Sequence, residues 1–263
     1  MRLFWELAKL SFRLQLTYRT ANLAGLATNF FFGLLRAAVL IALYGEQQQV
    51  SGISLRAAIT YTGLSQAVIA CLSFFGWWDV MQSVYSGEVA ADLLKPMGYW
   101  SYWLARDLGR AFASFLVRGV TIMLAYALFF DITLPQSAGH WLLVGLALLL
   151  SMLVSFGWHF TVNLAAFWTP EARGIGRLGF TLSWFLSGFV MPLRLFPAWF
   201  QRIARWTPFP SMVNATVEVY LGVLTTSEIA RTLLVQALWA ALLFSLSQVV
   251  LRFGVRRLVI QGG

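Results

Sequence analysis

Six stretches of the chain are apolar almost without interruption, at about 22–44, 57–78, 109–130, 140–168, 178–195 and 230–251. Each is long enough to be read as a membrane span, since a helix needs roughly 20 mainly apolar residues to cross about 30 Å of hydrocarbon. Runs such as Trp141 to Leu150 show no in-and-out alternation. They therefore do not read as the roughly ten-residue alternating strands of a membrane barrel. Ahead of the first stretch the pattern changes. Arg2, Glu6, Lys9 and Arg13 recur every three or four residues on one narrow stripe, and Phe4, Trp5, Leu7, Leu10, Phe12 and Leu14 cover the rest. That spacing predicts an amphipathic helix over 1–21 lying in the interface. It does not read as a signal peptide, because charge interrupts the apolar run and no small-residue cleavage site follows.

The fifth stretch is broken by Met191-Pro-Leu-Arg-Leu-Phe-Pro197. Beyond it Phe196, Trp199, Phe200 and Ile203 recur at i, i+3, i+4 and i+7, with Gln201, Arg202 and Arg205 on other faces, which predicts a second interfacial helix. Thr207-Pro-Phe-Pro210 turns the chain, and the apolar segment 211–222 is too short to cross. Residues 196–222 are thus expected to form a re-entrant hairpin on the outer side, buried by protein or lining a cavity. Thr225-Thr-Ser-Glu228 is a capping box that starts the last span.

Composition turns this pattern into a class. Of 263 residues 59% are apolar and 11% charged, against about 45–50% and about 25% in soluble domains. Too little charge remains to cover a water-facing surface. The net charge of +9 then reads as topology and contact with anionic lipid, with no nucleic acid implied. Cys71 is the single cysteine, which excludes an intrachain disulfide and a thiolate metal cluster. With six crossings both termini fall on one side, together with the connections at about 79–108 and 169–177. That side carries twelve basic residues against five on the other (Arg56, Arg194, Arg202, Arg205 and Arg231). The excess places both termini in the cytoplasm. The expectation is an all-α polytopic membrane protein, residues 1–263 forming a single transmembrane domain.

Catalytic constellations are missing. His140 and His159 have no metal-binding spacing, and there is no nucleophile elbow and no Walker A sequence. Gly174-Ile-Gly176-Arg-Leu-Gly179 matches the dinucleotide fingerprint but lacks the preceding strand and the βαβ unit that would give it meaning. No carboxylate falls near the centre of a span, as a proton-coupled transporter would require. No catalytic residue and no metal site is therefore expected, which leaves an intramembrane enzyme without chemistry. Arg36 and Arg118 do fall within spans, either snorkelling or marking a polar pathway or buried ion pair. Ser151, Ser155, His159 and Asn163 make an i+4 stripe that fits helix–helix contact.

The connection Asp79-Val-Met-Gln-Ser-Val-Tyr-Ser-Gly-Glu-Val-Ala-Ala-Asp-Leu-Leu-Lys-Pro-Met97 holds the most information outside the membrane. Ser86 is placed to cap a short helix, Glu88 suits its first turn, and Pro96 stops it after about two turns. Val89 and Leu93 share one face, Glu88 and Asp92 a neighbouring one. Such a helix suits a partner's groove, or rests on lipid headgroups.

Tyr85-Ser-Gly-Glu-Val-Ala-Ala-Asp-Leu-Leu-Lys-Pro96, Tyr102-Trp-Leu-Ala-Arg-Asp-Leu-Gly-Arg110, Leu186-Ser-Gly-Phe-Val-Met-Pro-Leu-Arg-Leu-Phe-Pro-Ala-Trp199 and Trp206-Thr-Pro-Phe-Pro210 together resemble the type 2 permeases of ATP-binding-cassette exporters, most of all their daunorubicin-resistance-like branch. The resemblance covers nearly the whole chain. It implies a bacterial plasma-membrane permease subunit with no cofactor of its own, ATP and Mg belonging to two partner ATPase subunits. A second permease chain, identical or sister, would face it. The resemblance makes the segment with Ser86, Gly87, Glu88, Val89, Asp92, Leu93, Lys95 and Pro96 the coupling helix that docks in the ATPase. It makes the N-terminal helix, with Trp5, Lys9 and Arg13, a second docking element. Movement of spans two and five would open the path for a solute or lipid, and Arg36, Gln66, Ser183 and Ser187 are placed near that path. An ATPase-independent membrane scaffold or sensor is the alternative.

Overall fold

The computed structural model describes residues 2–72 and 77–257, and these are almost entirely helical. Helix α1 (Arg2–Thr17) is separated by Tyr18 alone from α2 (Arg19–Tyr44). A two-stranded hairpin, β1 (Gln49–Val50) with β2 (Ile53–Ser54), leads into α3 (Leu55–Cys71). Two short helices, α4 (Asp79–Tyr85) and α5 (Val89–Leu93), precede α6 (Tyr99–Ser114). A π turn at Phe115–Gly119 joins α6 to α7 (Val120–Phe129) in one helix of 31 residues. The chain continues through α8 (Ala138–Asn163), extended by a 3-10 turn to Phe167, then α9 (Ala172–Leu186), α10 (Ala198–Arg205), α11 (Asn214–Leu221) and α12 (Thr226–Val255).

Among the described residues four helices are long and apolar enough to cross a membrane: Arg19–Tyr44, Tyr99–Phe129, Ala138–Phe167 and Thr226–Val255. The stretches expected at 57–78 and 178–195 form shorter helices, α3 of 17 residues and α9 of 15. Residues 73–76 of the first lie outside the described residues. For α3 the difference has a physical cause. From Ala57 to Cys71 every residue of α3 except Ile59 is buried by the rest of the protein, including Thr60, Thr62, Ser65 and Gln66. An apolar run shielded by protein need not match the thickness of a bilayer. By contrast α2, α7 and α12 expose Leu35, Val39, Leu124, Leu128, Leu234 and Leu238, a surface suited to lipid.

Local chemistry sets the helix ends. The Ser54 and Ser137 hydroxyls accept the backbone N–H groups of Ala57 (3.2 Å) and His140 (3.1 Å), capping α3 and α8. The expected capping box opens α12: Glu228 Oε2 accepts from the Thr225 N–H at 2.8 Å, and the Thr225 hydroxyl accepts from the Glu228 N–H. Helix α9 ends where Gly188 takes φ +79°, and a Cβ there would meet the Tyr61 hydroxyl at 2.7 Å.

Two apolar clusters occupy opposite ends of the bundle. The larger centres on α3 (Tyr61, Leu64, Val68) and joins Leu40 and Tyr44 of α2, Met152 of α8 and Val217 and Tyr220 of α11. The other gathers Val80, Val89, Tyr99, Trp103, Phe160 and Phe167, with Phe4 and Leu7 of α1 and Val255 of α12 packed against it. Helices α1, α4, α5, the start of α6 and the end of α12 therefore share one end. The β-hairpin and the start of α8 lie at the other.

Candidate functional site

The connection between α3 and α6 is fastened to the bundle by one side and bare on the other. Gly87 at φ +79° turns the chain between α4 and α5. Helix α5 is a single turn of five residues, shorter than expected, and Ser86 ends α4 instead of capping α5, which no side chain caps. Val89, Asp92 and Leu93 sit at i, i+3 and i+4, so so short a helix must turn all three the same way. That way is inward. Val89 is 2% exposed and Leu93 packs on the Trp103 cluster. Asp92, 7% exposed, accepts a 2.6 Å hydrogen bond from the Ser83 hydroxyl and pairs with Lys95 Nζ at 2.5 Å. Lys95 in turn lies 3.8 Å over the Tyr102 ring, and Arg106 stands 4.7 Å from that of Trp103. Burial alone would lower the Lys95 pKa, but hydrogen bonds to Asp92 and Tyr102 outweigh it and raise the value.

Of the residues assigned to docking, Val89, Asp92 and Leu93 thus hold the connection in place, with Val89 and Asp92 buried and Leu93 partly so. Ser86, Gly87, Glu88 and Pro96 are exposed and Lys95 is partly so. The outward row is Glu88, Ala91 and Leu94, and Leu94 is 86% exposed. Sequence reading passed over Leu94, although its place one residue beyond the Val89–Leu93 stripe already turned it elsewhere. A cleft of about 510 Å³ opens beside this row, lined by Asp79, Glu88, Asp92, Lys95, Tyr102 and Arg106 among others.

Helix α1 forms the neighbouring surface. It crosses α6 where Ala8 meets Gly109, and a Cβ on Gly109 would fall well inside contact distance of the Ala8 carbonyl. Glycine allows the two backbones to touch there. Reciprocal bonds between Gln15 and Asn22, Nε2 to Oδ1 at 3.0 Å and Nδ2 to the Gln15 carbonyl at 2.8 Å, fix the bend into α2. Trp5, Lys9 and Arg13 all remain exposed, with Trp5 at 61% and Lys9 paired to Glu6.

The four residues placed near a path are largely taken up by packing. Ser183 donates to the Gly179 carbonyl of its own helix at 2.8 Å, and Ser187 accepts from the Phe189 N–H at 3.3 Å. Gln66 is buried where α2 and α3 meet, its Cγ against Gly33, and its amide nitrogen has no hydrogen-bond partner among the described residues. Arg36 donates to the Phe189 carbonyl at 2.8 Å and stacks on that ring at 3.8 Å. Arg36 and Ser187 therefore meet on the turn that ends α9, where the Ser183 carbonyl accepts from the Ser187 N–H at 3.1 Å.

Arg118 behaves in the same manner. It donates to the Ala70 carbonyl at 2.8 Å, and Arg110 donates to that of Cys71 at 3.2 Å. Arg118 thus binds a carbonyl in the last turn of α3, where the dipole is negative and carbonyls lack helical partners, whereas the Phe189 carbonyl held by Arg36 lies beyond the end of α9. The π turn at Phe115–Gly119 carries Arg118 to its place. Asp107, on the same long helix, is buried and ion-paired with Arg110 at 2.8 Å.

Helix α11 is buried on nearly every side. The Thr216 hydroxyl donates to the Ala147 carbonyl, Ser151 to that of Met212, and Gln236 to those of Ala147 and Ser211. Asn163 bonds Trp77 and Met81. Ser151 and Asn163, two residues of the i+4 stripe on α8, therefore make inter-segment contacts. A node that the sequence did not disclose ties α3 to this region: the Tyr61 hydroxyl bonds the Gly188 carbonyl at 2.7 Å and Asn214 Oδ1 at 3.0 Å.

Residues 30–262 match the family model described as ABC-2 family transporter protein. The comparison with curated proteins returns no match, nor does that with solved structures. The match covers most of the chain, which belongs to the ABC-2 transporter family and is a membrane permease component of an ABC transporter.

Proposed function

We propose that this ABC-2 family chain is the permease subunit of an ATP-driven exporter, moving a solute or lipid outward on energy from separate ATPase subunits. The observation that carries the reading is the two-sided connection around α5. Its inner side is bound to α4 and α6 through Val89, Asp92 and Lys95, while Glu88, Ala91 and Leu94 are presented outward. A surface that is both bare and rigidly linked to a 31-residue helix suits the transfer of force from a docked partner. The adjoining α1, pressed on α6 at Gly109, offers Trp5, Lys9 and Arg13 beside it.

In this reading α3 and α9 complete six membrane-crossing segments, and residues 196–222 re-enter from the outer side. The end bearing α1 and α5 is cytoplasmic, in a bacterial plasma membrane. Two permease chains sit above two ATPases, which hold the ATP and Mg. The test is capture of the partner ATPase by purified permease. Glu88→Arg with Leu94→Ala is expected to abolish capture while the chain still inserts and purifies normally. Undiminished capture and ATPase stimulation by that variant would overturn the docking assignment.

A further inference from the structure

Helix α10 has three faces, and the protein accounts for only one. Ala204 is fully buried, with Phe200 and Gln201 partly buried beside it. Gln201 Nε2 donates to the Phe196 carbonyl at 2.8 Å, which pins this face to the preceding turn. At about 100° per residue, Trp199, Ile203 and Trp206 fall together on a second face. They are 63%, 53% and 84% exposed. Arg202 and Arg205 form the third face, next to the apolar one, and both are exposed. Arg194, on the turn before α10, is occupied by Glu218 at 2.6 Å. Arg202 and Arg205 make no ion pair among the described residues.

We infer that α10 binds an anionic phospholipid of the surrounding leaflet. Arg202 and Arg205 hold its phosphate, and Trp199, Ile203 and Trp206 lie along its acyl chains. Charge complementarity selects this occupant. Two adjacent unpaired guanidiniums suit an anionic phosphate, which accepts in the fork geometry that arginine offers. Indole rings beside them have the amphipathic character favoured at the headgroup level. A water-exposed surface would leave three large apolar side chains uncovered, and a purely apolar partner would leave two charges unanswered. The contact also reaches the core. Helix α10 follows directly on the turn Leu193–Leu195, where Leu193 N–H donates to Asn214 Oδ1 at 3.2 Å and Arg194 pairs with Glu218, so a lipid seated there steadies α11.

The test is native mass spectrometry of the full chain released from micelles containing phosphatidylglycerol and phosphatidylcholine. The wild type is expected to retain phosphatidylglycerol preferentially. At about fivefold for each arginine near an anionic surface, Arg202→Gln with Arg205→Gln should reduce that preference about thirtyfold. Arg202→Lys with Arg205→Lys, which keeps the charge but loses the fork geometry, should fall between the two. Equal retention by wild type and the Gln variant would overturn the proposal. So would Ile203→Cys crosslinking to a second copy equally well in vesicles of either lipid, since a protein would then cover the face. The elution profile of each variant on size exclusion guards against misfolding, and Trp199→Ser with Trp206→Ser, which leaves the charges alone, should lower retention of both lipids.

Discussion

Leu94 and Asp92 are two residues apart on one helical turn, and the structure gives them opposite roles. Leu94 is 86% exposed, so Leu94→Ala should change the chain's own stability by no more than about 0.5 kcal/mol. If an ATPase covers it, truncation forfeits most of a buried leucine, about 2 kcal/mol, or about a thirtyfold weaker complex. For Asp92→Ala the balance reverses. The variant removes the acceptor of the buried Ser83 hydroxyl, a hydrogen bond to a charged group that contributes about 1.5–3 kcal/mol. The Lys95 pair adds less than about 1 kcal/mol, because that side chain is 37% exposed and screened by water. Since Lys95 is raised above its usual 10.5, its share persists below that pH and is lost as pH rises through the raised value. Thermal unfolding of detergent-purified chain measures one effect, and titration with purified ATPase the other. Leu94→Ala should move only the affinity, and Asp92→Ala the unfolding midpoint first. An Asp92→Ala chain as stable as wild type, or a Leu94→Ala chain binding as wild type, would refute this division of labour.

Three further outcomes are expected. Gly109→Val drives a side chain into the Ala8 backbone, so α1 should lift from α6 at about 1–3 kcal/mol, seen as faster proteolysis after Arg13; unchanged cleavage would contradict the crossing. Tyr61→Phe leaves the buried Gly188 carbonyl and Asn214 without their common partner and should cost about 1–3 kcal/mol in thermal unfolding. Thr225→Ala removes the capping box and should fray the first turn of α12 by about 1 kcal/mol, read as faster hydrogen exchange at Ile229 and its neighbours.

The long helices were legible because apolar runs of that length have few other uses. The run at 57–78 holds the shorter α3, and such a run records burial without saying whether lipid or protein provides it. For α3 the answer is protein, down to its buried Gln66 and Thr62. The start of α6 was missed for the opposite reason. Arg106, Asp107 and Arg110 make Tyr99–Arg110 look polar, yet pairing and ring stacking absorb those charges within a continuous helix. Around α5 the periodicity grouped Val89 with Leu93 correctly, but which face is anchored depends on Tyr99 and Trp103, contacts the spacing cannot encode. The arginine-to-carbonyl contacts lie further still from sequence reading: Arg36 and Phe189 are 153 positions apart.

The outward face of α5 can be probed directly. A photoreactive phenylalanine analogue placed at Leu94, in membranes where the ATPase that the purified permease captures is co-expressed, should form a covalent adduct with that ATPase, and the same probe at Val89 should not. No adduct from the probe at position 94 in an assembly that still hydrolyses ATP, or labelling of a Leu94→Cys variant by an impermeant thiol reagent from outside intact cells, would contradict the account.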